Sequence, residues 1–226
     1  MINDSALLQH VYANYAGPFM IPSGCFNNLL RMSYLRHSAY AIAHKMDYYN
    51  IQADSYPELL AEGGAWAKVA MMKEALDKGY KYVFWVDADA LIMDFSVDLR
   101  DAVKDCEIGA CIHDPDKSEW LKKNGILKHI NIGVIYLKNT PGTKKFVDLW
   151  LAAYPGPERW ADQGAFNKLM EEYPGVVKPI DDKWNATVKV NEVEKPVIKG
   201  YHGVPYAERY TMMKAETRYD PLIYRT

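Results

Sequence analysis

Apolar residues along the chain fall into two kinds of run. The first is short and unbroken: Tyr82-Val83-Phe84-Trp85-Val86 stops abruptly at Asp87-Ala88-Asp89. Such a run is too short to cross a bilayer, and its β-branched and aromatic content favours a buried strand over a helix. Further strands, less uniformly apolar, are expected at Gln9 to Tyr15, Asp47 to Gln52, Glu107 to Ile112, Ile130 to Leu137 and Val197 to Tyr201. The second kind recurs at helical spacing. Trp66, Val69, Met72 and Leu76 mark a helix over Ala65 to Lys78 that Gly79 is placed to end, and Phe166, Leu169, Met170 and Tyr173 mark one from Asp162 to Tyr173. Further helices are expected over Phe26 to Met46, near Val97 to Val103 and from Gly142 to Tyr154, with loops at Gly17-Pro18, Pro57 and Gly63-Gly64.

Strands alternating with helices imply an α/β layer structure. The expectation is one domain spanning residues 1–226, with a mixed, mostly parallel central sheet flanked by helices. In such sheets ligands collect outside the carboxyl ends of strands. That rule brings Asp89, the Asn131-Ile132-Gly133 segment and His202 to one end of the sheet.

Composition narrows the partners. The chain has 226 residues and 49% hydrophobic content, enough for one substantial core. A formal charge of −2, from 27 basic and 29 acidic residues, gives no global attraction to nucleic acid or to an anionic membrane, so an anionic ligand has to be bound locally. Cys25, Cys106 and Cys111 lack zinc spacing and read as free thiols in a reducing compartment. The opening Met1-Ile2-Asn3-Asp4-Ser5 has no basic n-region, and the expectation is a cytoplasmic protein with no integral membrane segment. Asn185-Ala186-Thr187 matches a glycosylation sequon and is read as a chance tripeptide in a loop.

The chemistry centres on Asp-Ala-Asp. In an extended backbone residues two apart point the same way, so Asp87 and Asp89 can face one cation. Mg²⁺ or Mn²⁺ is commonly held by one or two carboxylates, with ligand phosphates and water completing the shell. The plain alternative is a solvated pair of acids capping the next turn.

Trp66-Ala67-Lys68 opening a helix, Phe84 to Met93 with its Asp-Ala-Asp, Asn131-Ile132-Gly133-Val134, Asp162-Gln163 and His202-Gly203 occur in that order. Together they closely resemble the galactosyl- and mannosyltransferase family, which includes fungal Golgi α-mannosyltransferases and plant xyloglucan xylosyltransferases and has the GT-A, Rossmann-like, nucleotide-diphospho-sugar fold. The resemblance spans Leu29 to Gly203. It implies a retaining glycosyltransferase that uses a nucleoside diphosphate sugar, UDP- or GDP-linked, a divalent cation, commonly Mn²⁺, and a saccharide or other hydroxyl acceptor. It also implies roles. Asp87 would contact ribose and metal, with Asp89 and His202 as further metal ligands, and an imidazole suits Mn²⁺ better than Mg²⁺. Lys68, Ala88, Gly133 and Gly203 would line the nucleotide-sugar site, and Asp162, Gln163 and Asn131 are the candidate catalytic residues near the reacting face of the sugar.

Residue by residue, plainer readings stand beside these. Lys68 lies off the buried stripe of its helix, as a solvated lysine would. Asp162 would serve as an N-cap, His202 as a turn histidine and Gly133 as a strand bulge; Trp66 reads as core. The basic residue that often follows the family's His-Gly is absent, since Val204-Pro205-Tyr206 stand there, and Arg209 or Lys214 could take its place. Two other classes compete. A haloacid-dehalogenase type phosphotransferase also places Asp-x-Asp after an apolar strand, but it usually has a hydroxyl residue where this chain has Leu91, and it starts the domain with that strand. A non-catalytic nucleotide-sugar or carbohydrate-binding protein would use the 6 Trp and 17 Tyr for stacking.

Overall fold

The computed structural model describes residues 3–11, 25–52, 55–59, 65–113, 122–123, 129–156, 161–202 and 204–218. The Gly17-Pro18 and Gly63-Gly64 loops and Gly203 lie outside them.

The first strand, β1, is Ser5–Val11, starting earlier than the expected Gln9 because Ala6-Leu7-Leu8 is the stretch that is buried. Residues 12–15 of the expected strand lie outside the described ones. β1 pairs in parallel with β2 (Asp47–Gln52) on one side and with β3 (Tyr82–Val86) on the other, Leu7 opposite Phe84. Helix α1 (Cys25–Ala43) connects β1 to β2, and α2 (Ala67–Asp77) precedes β3. α2 stops where expected. Gly79 has φ +92°, its N–H donates to the Leu76 carbonyl and that of Tyr80 to Ala75 O, the paired bonds of a Schellman C-terminus.

Past β3 the sheet turns mixed. β5 (Ile108–His113) runs parallel to β3 but is separated from it by β7 (Val134–Lys138), antiparallel to both, and β8 (Val177–Ile180) adds in parallel to β5. The expected continuous strand from Ile130 to Leu137 is broken. Gly109 faces Tyr136, so a straight β7 would set Ile112 against Gly133; instead Ile112 faces Ile130 in the short β6 (His129–Ile130). The Asn131 N–H still donates to Cys111 O at 3.4 Å, and past it Ile132-Gly133 leaves the β5 ladder, a bulge of the kind that re-aims side chains beside sites.

Alternation along β3 splits the core. Val83 and Trp85 face α2, α3 (Pro141–Ala152) and α4 (Ala161–Glu172), while Phe84 and Val86 face Tyr40 and Ala41 of α1 and the 3₁₀ turn Leu99–Val103. The helix expected near Val97 to Val103 is that turn. α3 begins with Thr140 capping the Thr143 N–H and Pro141 in the first turn.

A small second sheet lies beyond β3. β4 (Ala90–Ile92) pairs antiparallel with β10 (Ile198–Gly200), which pairs in parallel with β9 (Ala186–Thr187). The last helix, α5 (Tyr206–Thr217), was not expected because its buried side is thin: Arg209, Met213 and Thr217. No helix among the described residues is long and apolar enough to cross a membrane.

Candidate active site

The site forms where β3 ends. Asp87 is the first residue past the strand, and its N–H still donates to the Gly133 carbonyl at 2.7 Å, so the bulge is tied to the acid. The extended alternation expected through Asp87-Ala88-Asp89 does not continue. The Ala90 N–H donates to Asp87 O at 3.1 Å, closing a turn with Ala88 buried inside it, and the two carboxylates leave that turn toward different partners.

Asp87 shares the β3 face of Trp85, and the Trp85 indole N–H donates to its Oδ1 at 2.6 Å. On the same side Lys68 reaches in from the first turn of α2. Its Nζ lies 3.2 Å from Asp162 Oδ2 and 3.6 Å from Asp87 Oδ1, with the Trp85 ring beside it at 5.7 Å. Lys68 is 5% exposed, which overturns the solvated reading. Burial alone would lower its pKa, but the Asp162 and Asp87 carboxylates outweigh that and raise it, so Lys68 stays charged. Asp162 sits inside the first turn of α4 rather than capping it. Burial pushes its carboxyl up against the pull of Lys68. Asp87 is pushed up to about 6 by burial and further by the neighbouring Asp89 charge, opposed by Lys68. Asp162, Lys68 and Asp87 thus form one chain of alternating charge, buried at Asp162 and Lys68 and open at the Asp87 end.

The bulge supplies amides. Asn131 Oδ1 accepts from the Gly133 N–H at 2.9 Å and from Asn185 Nδ2 at 3.1 Å, and the Ile132 N–H donates to Gln163 Oε1 at 3.3 Å. Gly133 leaves room for both groups: a Cβ would lie 2.9 Å from Asn131 Oδ1 and 3.0 Å from Asp87 Oδ2 and would displace them. Asp87, Asn131, Gly133, Asp162 and Gln163, predicted separately from sequence, are therefore joined through direct contacts.

Asp89 faces the other way. Arg209 of α5 donates from Nη1 to Asp89 Oδ2 at 2.6 Å, and from Nη2 to the carbonyls of His202 at 3.2 Å and Val204 at 3.0 Å. The second sheet brings His202 here: Gly200 pairs with Ala90, and the Tyr201 N–H donates to Asp89 O at 2.9 Å. The His202 ring bonds through Nε2 to Thr187 Oγ1 at 3.2 Å, the same hydroxyl that His113 Nε2 meets at 3.1 Å, with the two imidazoles stacked. A hydroxyl has one proton, so when both rings are neutral at least one of them donates to it.

No group of three or more His, Cys, Asp or Glu side chains among the described residues is arranged as a ready metal centre. The donor chemistry nonetheless fits a hard divalent cation. Asp87 and Asp89 flank one turn and His202 stands on the segment paired beside it, oxygen and imidazole donors of the kind such a cation takes, although the two carboxylates here point to different partners. The Asp89 charge that, after burial, helps to raise Asp87 is one a cation would offset.

Comparison with known proteins bears on the fold and the class of enzyme. Residues 22–108, which include Lys68 and the Asp87-Ala88-Asp89 turn, match the model of the galactosyl transferase GMA12/MNN10 family. The chain is a glycosyltransferase. A crystal structure of a glycosyltransferase involved in glycosylation of the major capsid of PBCV-1 superposes on the transferase with a TM-score of 0.64 at 16% identity, over 93% of this chain and 98% of that one. Mouse xyloside xylosyltransferase 1 in its apo form superposes with a TM-score of 0.52 at 11% identity, over 91% and 99%. These likenesses bear out the expected GT-A fold. No curated protein compared with the transferase matches it.

Sequence reasoning missed several residues of the transferase's site. Asn185 and Thr187, set aside as parts of a chance sequon in a loop, are fully buried and hold Asn131 and His202. A fully buried Asn185 is no glycan acceptor. The available signal was an asparagine and a hydroxyl two residues apart, spacing that puts both on one face of an extended segment. Gln9, whose amide donates to Ser33 Oγ at 2.9 Å and to Asp87 O at 3.4 Å, and His113 carried no local signal at all. Gly203 lies outside the described residues.

Proposed function

We propose that this glycosyltransferase moves a sugar from a nucleoside diphosphate sugar, UDP- or GDP-linked, to a hydroxyl of a saccharide or other acceptor, in a metal-dependent reaction with retention at the anomeric carbon. The observation that carries the reading is the contact between the Asp162–Lys68–Asp87 charge chain and the Asn131-Ile132-Gly133 bulge. It gathers acids and amides at the carboxyl end of the central strand, where an α/β sheet binds its ligand.

In this reading Asp87, Asp89 and His202 would hold Mn²⁺ or Mg²⁺, which when bound neutralises the charge that develops on the departing diphosphate. The chain's own residues do the rest. Lys68 holds the Asp162 and Asp87 carboxylates apart and ionised. Asp162 and Gln163, on the first turn of α4, and Asn131, on the bulge, face the donor sugar, where a carboxylate and amides orient hydroxyls and stabilise an oxocarbenium-like centre. Gly133 and Ala88 permit close backbone approach at the two edges of that position. Retention rests on the family resemblance. The free thiols Cys106 and Cys111 are in keeping with a cytoplasmic location, which fractionation of expressing cells would test.

The test is a thermal-shift screen of nucleotide sugars with Mn²⁺. A donor should raise the melting temperature by mass action, selectively and only with metal. Stabilisation by no nucleotide sugar in the presence of metal contradicts the reading. Stabilisation without consumption of the sugar on prolonged incubation would indicate a silent binder.

A further inference from the structure

We propose that Arg209 is the resident counter-ion of Asp89, and that a divalent cation reaches this carboxylate only when a nucleoside diphosphate arrives with it. This rests on the metal-dependent reading above and assigns one of the chain's own residues to the timing of metal entry.

Arg209 is not a surface arginine that has folded back. Its side chain is 9% exposed and that of Asp89 8%, and at 2.6 Å they make a charge-assisted hydrogen bond in a dry setting. Its second terminal nitrogen bonds to two carbonyls of the turn that carries His202, so one guanidinium ties Asp89 to the segment of the third proposed ligand. α5 holds it there: Met213 packs with Leu29, Leu91, Tyr201 and Val204 in one buried cluster.

Charge gives the consequence. Of the groups that meet here, Asp87, Asp89 and Asp162 are acids and Lys68 and Arg209 are bases, which in their charged forms leaves a single negative charge. A bare divalent cation would turn that into a net positive charge away from water, and it would have to displace a guanidinium already paired with one of its ligands. A diphosphate entering with the cation restores the balance and offers the released guanidinium an anion. The two ligands are therefore coupled, and each raises the affinity of the other by the same factor.

The experiment titrates Mn²⁺ into the full chain, following the free-ion paramagnetic signal, with and without UDP or GDP, for wild type, Arg209→Met and Asp89→Asn, each checked for folding by circular dichroism. Wild type should bind Mn²⁺ about tenfold or more tightly when the nucleotide is present. Arg209→Met should bind nucleotide-free Mn²⁺ about tenfold more tightly than wild type, because the carboxylate is then unpaired. Asp89→Asn, which keeps a hydrogen-bond acceptor for Arg209 and does not depend on the first variant folding, should leave nucleotide-free binding within about threefold of wild type and lose most of the nucleotide-linked gain. A folded Arg209→Met with unchanged or weaker nucleotide-free affinity overturns the proposal, as does a tenfold loss of nucleotide-free binding in Asp89→Asn. If no protein binds Mn²⁺ under any condition, the metal-dependent reading falls and this inference with it, an outcome distinct from either failure above.

Discussion

Gly133 and Lys68 show how single atoms set this site. A Cβ at Gly133 would push on Asn131 Oδ1 and Asp87 Oδ2, both movable side-chain ends. Gly133→Ala should therefore fold, with its melting temperature within a few degrees of wild type, and lose about tenfold or more in turnover as the two groups are displaced. Unchanged turnover would separate the bulge from the chemistry. Lys68→Met removes the cation between Asp162 and Asp87 and leaves the buried Asp162 carboxylate without its ion-pair partner, so urea denaturation should show a loss of about 3–5 kcal/mol. His37 on α1 makes a third case. It is fully buried, and burial, aided by the adjacent Arg36 charge, lowers its pKa to about 3, so it is neutral in the fold. Between its ordinary 6.5 and about 3 the unfolded chain takes up a proton that the folded chain refuses, so stability falls as pH falls. Asp87, raised from 3.8 to about 6, acts oppositely, its contribution being lost as pH rises through that window. The two partly cancel in wild type. The difference between His37→Leu and wild type should isolate the histidine, shifting in the variant's favour by about 1.4 kcal/mol per pH unit below 6.5. A pH-independent difference would mean that His37 is not buried and neutral.

At the scale of elements, the strands that the sequence reveals are those that a two-sided core demands. Tyr82 to Val86 occupies the predicted residues because an unbroken apolar run has no other stable place than the middle of a covered sheet, and Asp47 to Gln52 does so as the edge strand paired with β1, its tyrosines and Ile51 half-buried. The α2 terminus was legible because glycine at φ +92° closes a helix on its own terms. What could not be read were elements whose reason lies elsewhere in the chain. β4 and β9 are too short to show periodicity and exist because β10 pairs with both. α5 carries its function on one charged residue rather than on an apolar stripe. The bulge was legible only as the plain reading of Gly133, while its extent stayed hidden inside the strand expected from Ile130 to Leu137, because a hydrophobic pattern does not register a shift in pairing. Asn185 joins that bulge to the second sheet through one amide. Asn185→Ala should loosen Asn131, weakening donor-dependent thermal stabilisation more than it lowers the melting temperature of the free protein. An equal effect on both would mark the contact as packing alone.

Across the whole molecule the site is a meeting of distant segments: α2, the end of β3, the β6–β7 bulge, the start of α4 and the strand leading to His202. The Asp162–Lys68–Asp87 half could be assembled from the ordered motifs, since each lies near an element end that the sheet collects on one side. The other half could not. The motif order suggested that Asp89 and His202 approach each other, but not that Arg209, from the last described helix, is already bound to both the Asp89 carboxylate and the His202 carbonyl. The central claim is that this constellation carries a metal-dependent glycosyl transfer, and consumption of UDP- and GDP-sugars with Mn²⁺ or with chelator, by wild type and by Asp89→Asn, tests it most directly. The account predicts that wild type consumes at least one nucleotide sugar only when metal is present and that Asp89→Asn, equally folded, does not. Full turnover in chelator, or in Asp89→Asn, would contradict it.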